Sequence, residues 1–326
     1  MEKERFRCDI PIVIPSLRRM HPLKPKKTPI LCLVSCLRDL FKNYDATKVH
    51  VIGQEYTEEE KSSMIAEFPQ VTFHWYERRM GIIGTFNKVK ALGCELGPWY
   101  VHYDDDVEVS NQFGDNPTLL AFESVMSTAP DRVGVVTCTS TSLIHFAKQS
   151  KNLIKVIGNP AQLLLINSAA AKQCEYDSRF ECFKSDTDFT MQIAHKGFIP
   201  VSISKYFSFA HTIPLSQIVV DEVTGRKSFQ NYDNITSGKS IGGTRTPERR
   251  AYEFSQLNEK WPLIRTAKNF KFQVLKGSIV HLTGFREAEL LDLEAGFDYS
   301  LVKNIYEGYY KKDHIVNLLT PDISLF

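Results

Sequence analysis

The sequence has no apolar run near the roughly 18 residues that a membrane-spanning helix requires. Its longest, Ile30 to Cys36 and Ala161 to Ile166, are of strand length. The N-terminal stretch Met1 to Arg7 is charged and leads straight into Ile10 to Ile14, without the apolar core and small-residue cleavage site of a signal peptide. A chain that is not secreted, with no membrane partner, is therefore expected. Charge of one sign is also scarce: 40 Lys and Arg against 38 Asp and Glu give +2, so bulk electrostatics alone does not make a nucleic-acid binder. The seven cysteines include no Cys-x-x-Cys pair and meet no histidine at zinc-finger spacing, which favours reduced, buried thiols. A Gly-x-x-x-x-Gly-Lys-Ser/Thr phosphate loop is missing, as is Gly-x-Gly-x-x-Gly after the first apolar run, so kinase, NTPase and dinucleotide readings lack their motifs.

What remains is an ordinary globular composition, 43% hydrophobic and 24% charged over 326 residues, which excludes disordered, collagen-like and coiled-coil chains. Short apolar runs at 10–14, 49–53, 71–76 and 99–103 alternate with helical spacing at 31–43, 57–68 and 84–96. That alternation predicts an α/β fold with a doubly wound, mostly parallel sheet. Helices are expected next at 119–127 and 186–195, and strands at 133–138, 162–167 and 201–207. After about residue 212 the chain turns polar and glycine-rich, and helices resume at 248–257. The expected organisation is a catalytic core over 1–215, then an acceptor loop and C-terminal helical extension over 216–326, packed on the core and including a helix-like stretch at Tyr299 to Tyr310.

Doubly wound sheets bind ligands beyond the carboxyl ends of their strands. The segments after Ile14 and after Tyr103 should therefore share one crevice, bringing Ser16 and Arg18 near Asp104, Asp105 and Asp106. Three adjacent carboxylates repel one another, and such a cluster at the end of a buried strand persists where a divalent cation or basic partner neutralises it. An acidic surface turn is the plainer alternative. In an extended chain Asp104 and Asp106 would point to one side and Asp105 to the other. A hard cation held by one or two carboxylates, with its other positions open to phosphate oxygens, is the usual Mg²⁺ or Mn²⁺ arrangement with nucleotides. Group transfer from a nucleotide diphosphate fits.

The run Pro15-Ser-Leu-Arg18, the segment Met80-Gly-Ile-Ile-Gly-Thr-Phe-Asn87, the triplet Asp104-Asp-Asp106 and Ser185-Asp-Thr-Asp188 together resemble a metal-dependent glycosyltransferase of the GT-A fold. With Gly242-Gly-Thr-Arg-Thr246 added, the chain is more narrowly similar to the TET-associated glycosyltransferases of bacteriophages, which sugar-modify hydroxymethylated pyrimidines in DNA. The resemblance spans about residues 8 to 260, and the order of the motifs carries it.

It implies a UDP-sugar donor and Mn²⁺ or Mg²⁺, with Asp106 on the metal, Asp104 on the metal and the donor sugar or ribose, and His211 as a third ligand. Ser16, Arg18, Gly81, Gly84, Asp105, Gly242, Gly243 and Arg245 would line the donor site. Asp186 is the expected base of an inverting transfer and Asp188 a helix cap or acceptor ligand, although Ser185 stands where the family usually has Glu. Phosphates of double-stranded DNA carrying 5-hydroxymethylcytosine or a related base would meet Arg19, Lys24, Lys26, Lys27, Arg249 and Arg250. The expected location is the cytoplasm of an infected bacterial host cell. A glycan or protein acceptor is the runner-up, and a nonenzymatic DNA-binding protein is the alternative of another class. His102 is expected inside the sheet packing and His195 on a helix.

Overall fold

The computed structural model describes residues 5–18, 31–108, 118–128, 133–140, 154–156, 163–181, 184–196, 198–210, 217–220, 227–230 and 247–260. The strands are β1 (Phe6–Cys8), β2 (Ile12–Leu17), β3 (Tyr44–Ala46), β4 (Val49–Gln54), β5 (Val71–Tyr76), β6 (Trp99–Tyr103), β7 (Val107–Glu108), β8 (Val133–Ser140), β9 (Ile154–Val156), β10 (Leu163–Asn167), β11 (Ile199–Ala210), β12 (Gln217–Val220) and β13 (Lys227–Gln230). The helices are α1 (Cys32–Asn43), α2 (Glu58–Glu67), α3 (Gly81–Leu96), α4 (Thr118–Thr128), α5 (Ser168–Ala171), α6 (Ser185–His195) and α7 (Pro247–Lys260), with a 3-10 turn at Ser178–Phe180.

Nine strands form the central sheet, in the order β5-β4-β2-β6-β10-β8-β11-β7, with β9 also on β11. β5, β4, β2 and β6 are mutually parallel, the expected doubly wound half. β10 departs from that pattern. It runs antiparallel to both β6 and β8, so the sheet is mixed, although β8 and β11 again run parallel to each other. Direction leaves no trace in a run such as Leu163 to Asn167, because a strand buried on both faces reads as continuously apolar in either sense.

Two apolar layers flank the sheet. Ile12, Ile14, Val101 and Tyr103 pack with α1, while Val13, Ile52, Tyr100 and Ile166 pack with Val89 of α3 and Phe189 of α6. α1 reads as polar in sequence but buries eight residues, among them Cys36, Leu37, Asp39 and Asn43, whose side-chain amide donates to the Asp39 carbonyl at 2.9 Å. No helix among the described residues is long and apolar enough to cross a membrane.

Two boundaries differ from expectation where the site begins. β2 does not close at Pro15 but continues to Leu17, paired with β4 throughout, while its pairing with β6 covers only Ile12 and Val13. The position where Pro15 lacks an N–H faces the side from which β6 has already departed, so no ladder bond is lost. α3 starts at Gly81, three residues before the expected Gly84, because Gln54 at the end of β4 ties down its first turn. Gln54 Oε1 accepts from the Met80 backbone N–H at 2.8 Å, and Gln54 Nε2 donates to Thr85 Oγ1 at 2.9 Å.

Candidate active site

The chain leaves β2 on one side toward β4 and returns through α3 to β6 on the other. The carboxyl ends of β2 and β6 therefore mark a topological switch point, where open α/β sheets bind ligands. Ser16 is the next-to-last residue of β2 and Arg18 directly follows the strand, and Asp104 to Asp106 follow β6.

The expected proximity of these two segments is a direct bond. Ser16 Oγ donates to Asp105 Oδ2 at 2.5 Å and shares a 2.6 Å hydrogen bond with Tyr56 Oη, all three residues being buried. The triplet is not extended, however. The Val107 N–H donates to the Asp104 carbonyl at 3.1 Å, closing a turn through Asp105 and Asp106. This overturns the expected alternation of Asp104 and Asp106 along one side of a strand. Asp105 and Asp106 are buried, whereas Asp104 is half-buried; burial first, and then Asp105, Asp39 and Asp106, raise the titration of the Cys36 thiol on α1, and burial first, with Tyr100, Asp186 and Asp104 behind it, raises that of the Tyr176 phenol. Asp104 Oδ1 also lies 3.3 Å from His102 Nε2, so His102 is inside the packing as expected but touches the triplet. Its ring meets Phe86 edge-on, with centroids 4.7 Å apart.

Gly81, with φ of +73°, opens α3. A Cβ built there would stand 2.7 Å from Glu181 Oε1, so the glycine both supplies the left-handed conformation and leaves room for a carboxylate at the helix start, where the helix dipole favours negative charge. Gly84 faces only Met80. Asn87, the last residue of the quoted glycine segment, brackets the backbone of Tyr176, its Oδ1 accepting from the N–H at 3.1 Å and its Nδ2 donating to the carbonyl at 3.2 Å.

Asp186 and Asp188 both fall in the first turn of α6. Asp186 is half-buried, and its backbone carbonyl accepts from Thr190 Oγ1 at 2.8 Å. Asp188 is fully buried and its Oδ2 accepts from Lys260 Nζ at 2.9 Å and Gln192 Nε2 at 2.7 Å. Lys260, the last residue of α7, also donates to Asp177 Oδ2 at 3.0 Å and stands over the Phe180 ring. Arg179 and Lys260 hold the Asp177 carboxyl well below the usual carboxylate range. Higher on α7, buried Glu253 accepts from the Lys184 N–H at 3.2 Å and from Arg249 Nε at 3.0 Å. α7 thus grips the segment 177–188 at both ends. Nothing in the sequence flags Lys260 or Glu253, since their partners lie about 70 residues upstream.

Arg18 is exposed and paired with Glu60, its Nε lying 2.8 and 2.9 Å from the two carboxylate oxygens. Arg249 is bonded to Glu253 and lies over the Tyr252 ring, and Arg250 belongs to the same helix. His195 is exposed on α6. Arg19, Lys24, Lys26, Lys27, His211, Gly242, Gly243 and Arg245 lie outside the described residues, as does the stretch 299–310.

Carboxylate oxygens from Asp104 and Asp106 are donors of the kind a hard cation takes, although the turn leaves Asp104 half-exposed and buries Asp106. Among the described residues no three His, Cys, Asp or Glu side chains converge into a ready-made metal cage. Mg²⁺ and Mn²⁺ sites that take one or two carboxylates and fill the rest with substrate phosphate and water need none.

No protein-family model matches the chain, and no curated protein matches its sequence. Among solved structures, the chain is similar to a mannosyltransferase from Pyrobaculum calidifontis in complex with GDP-Man and Mn²⁺, at 12% identity and a TM-score of 0.46, over 94% of this chain and 89% of that one. It is also similar to GalNAc-T7 with UDP, GalNAc and Mn²⁺, at 12% identity and a TM-score of 0.43, over 85% and 58% of the two chains. Glucosyl-3-phosphoglycerate synthase from Mycobacterium tuberculosis, in complex with Mn²⁺, UDP and glucosyl-3-phosphoglycerate, shows 9% identity and a TM-score of 0.40, over 60% and 70%. Likeness at this level leaves the assignment of chemistry to the residues of the site.

Proposed function

We propose that the chain is a metal-dependent glycosyltransferase of the GT-A type, moving a sugar from a nucleotide-diphosphate sugar to the hydroxymethyl group of a modified pyrimidine in DNA, or to a sugar already on it. The observation that supports this most is the Asp104 to Asp106 turn at the switch point, fastened to the end of β2 by the bond from Ser16 to Asp105. Asp106 and Asp104 would hold Mn²⁺ or Mg²⁺, which when bound supplies positive charge for the departing diphosphate.

The remaining chemistry belongs to side chains. Asp186, half-exposed at the start of α6, accepts the proton of the acceptor hydroxyl. The hydroxyl oxygen bonds to the anomeric carbon as the bond from that carbon to the phosphate oxygen breaks, and the nucleoside diphosphate leaves with the electron pair. Asp188, buried against Lys260, holds the helix that presents Asp186. Arg18 would release Glu60 to reach the nucleotide, at small cost because exposed ion pairs contribute only about 0–1 kcal/mol.

The DNA acceptor is supported by the motif order and by the basic residues at 18, 19, 24, 26 and 27 on the segment leaving β2. The deciding experiment offers a nucleotide-sugar panel with Mn²⁺ to hydroxymethylcytosine DNA, plain DNA and a glycan, and reads the mass of each acceptor. A gain on hydroxymethylcytosine DNA alone is expected. A gain on the glycan alone would replace the acceptor, and donor turnover with no Mn²⁺ dependence would remove the metal from the reading.

A further inference from the structure

Every side chain from Ser185 to Thr190 is buried except that of Asp186, so the first turn of α6 offers one side chain alone to the outside. That turn is closed by the Asp188 N–H, which donates to the Lys184 carbonyl at 2.8 Å. Helix α7 holds it at both ends, two residues to either side of Asp186. On one side buried Glu253 accepts from the Lys184 N–H at 3.2 Å, and on the other Lys260 donates to the buried Asp188 carboxylate at 2.9 Å. The same ammonium donates to Asp177 at 3.0 Å, and Asp177 in turn caps the 3-10 turn by accepting from the Arg179 N–H at 3.0 Å. One cation therefore fixes the first turn of α6 against the segment that leads into it.

Stability alone does not account for that cation. Phe189 and Ile193 already anchor α6 by apolar burial against the sheet. A buried ion pair loses hydration, and apolar side chains of similar volume hold such a contact as firmly or more so. What Lys260 adds over an apolar residue is direction, since its N–H groups must point at two carboxylates at once.

We infer that Lys260 is a positioning residue for the transfer: through Asp188, and with Glu253 holding Lys184, it fixes the direction in which Asp186 meets the acceptor hydroxyl. This rests on the nucleotide-sugar reading above and adds to it a helix from the expected C-terminal extension. Placement of this kind matters to rate, because a shift of about 1 Å in a reacting group lowers turnover by about a hundredfold.

The test uses the full chain with Mn²⁺, hydroxymethylcytosine DNA and whichever of UDP-glucose, UDP-galactose and GDP-mannose the parent turns over. It reads the released nucleoside diphosphate, which counts transfer and hydrolysis alike. Lys260→Met keeps the stem over Phe180, and combining it with Asp188→Asn removes the buried charge that would otherwise be left alone, while Asp177 keeps Arg179. This double variant is expected to melt near the parent, to bind the donor with unchanged affinity in calorimetry, and to lose kcat about tenfold to a hundredfold. Lys260→Arg, which still donates to both carboxylates, should retain most of the parental kcat. In an Asp186→Asn background the same two changes should lower the residual turnover no further, because a group acting only through Asp186 has nothing left to position. A double variant with parental kcat would overturn the inference, as would an equal further loss in the Asp186→Asn background, and either result leaves the nucleotide-sugar reading standing. A double variant that does not fold would overturn it too, since the ammonium would then supply stability rather than direction. A parent with no Mn²⁺-dependent turnover of the three donors removes the nucleotide-sugar reading, and the role of Lys260 falls with it.

Discussion

Ser16 and Asp105 join the first parallel strand of the sheet to the turn that follows its neighbour, through a 2.5 Å hydrogen bond between buried side chains 89 positions apart. Replacing Ser16 with alanine leaves a buried carboxylate oxygen and the Tyr56 hydroxyl short of a partner, at a cost of about 1–3 kcal/mol. Denaturant unfolding should show this loss. Arg18→Ala, two residues on and exposed, should move stability by less than about 0.5 kcal/mol.

Gly81→Ala should be more costly than an ordinary glycine replacement. It places a Cβ on backbone of positive φ and drives it toward Glu181. The backbone part alone amounts to about 1–2 kcal/mol. Combining it with Glu181→Ala should recover the steric part and leave the backbone part, so the double variant is expected to be more stable than the sum of the two single changes.

Asp186→Asn and Asp188→Asn should separate chemistry from architecture. The first keeps the shape of a half-exposed side chain and is expected to lower kcat by about 10² to 10⁴ with an unchanged melting temperature. The second removes the buried charge that faces Lys260 and should cost about 3 kcal/mol, near the low end for breaking a buried pair. A melting experiment beside a turnover assay distinguishes them.

Acid should loosen the outer edge of the sheet. His50 on β4 and His74 on β5 share a 3.2 Å contact between ring nitrogens, and burial, followed by the neighbouring His74, lowers the titration of His50. A base whose folded-state value is depressed contributes its stability fully above its unfolded value, about 6.5, and loses it as pH falls through the folded-state value. His50→Gln should flatten the fall in stability below about pH 6.5, measured as the denaturation midpoint across pH.

The buried thiols should resist alkylation in the native protein. Burial pushes Cys8 up to about 12, Cys174 up to about 11 and Cys36 well above its ordinary value. Maleimide at neutral pH is expected to label none of the three until denaturant is added, as peptide mass spectrometry would show.

Much of the first half of the fold is legible in the sequence, because β4, β5 and β6 are apolar runs punctuated by helical spacing and by turn residues. The three-residue strands β1, β3 and β9 and the two-residue β7 are too short for any periodicity to register, and the four-residue β12, Gln-Ile-Val-Val, pairs with a polar β13, Lys-Ser-Phe-Gln, that only its partner defines as a strand. The meeting of Ser16 with the triplet follows from topology and so could be anticipated. The turn within the triplet could not, since three like residues have no alternation to reveal a change of direction. Tyr176 and Asn87 were equally hidden: their roles depend on a contact across 89 positions, and a tyrosine among apolar neighbours reads as core.

The bridge from Lys260 to Asp188 also orders events during synthesis. The two residues are 72 positions apart, which at about 5–20 residues per second separates their emergence from the ribosome by roughly 4–14 seconds. Throughout that interval the nascent sheet carries, at the foot of α6, a carboxylate destined for burial whose cation has not been made. The candidate catalytic helix therefore locks only after the whole glycine-rich stretch has left the ribosome, and an active conformation cannot precede the segment expected to meet the acceptor.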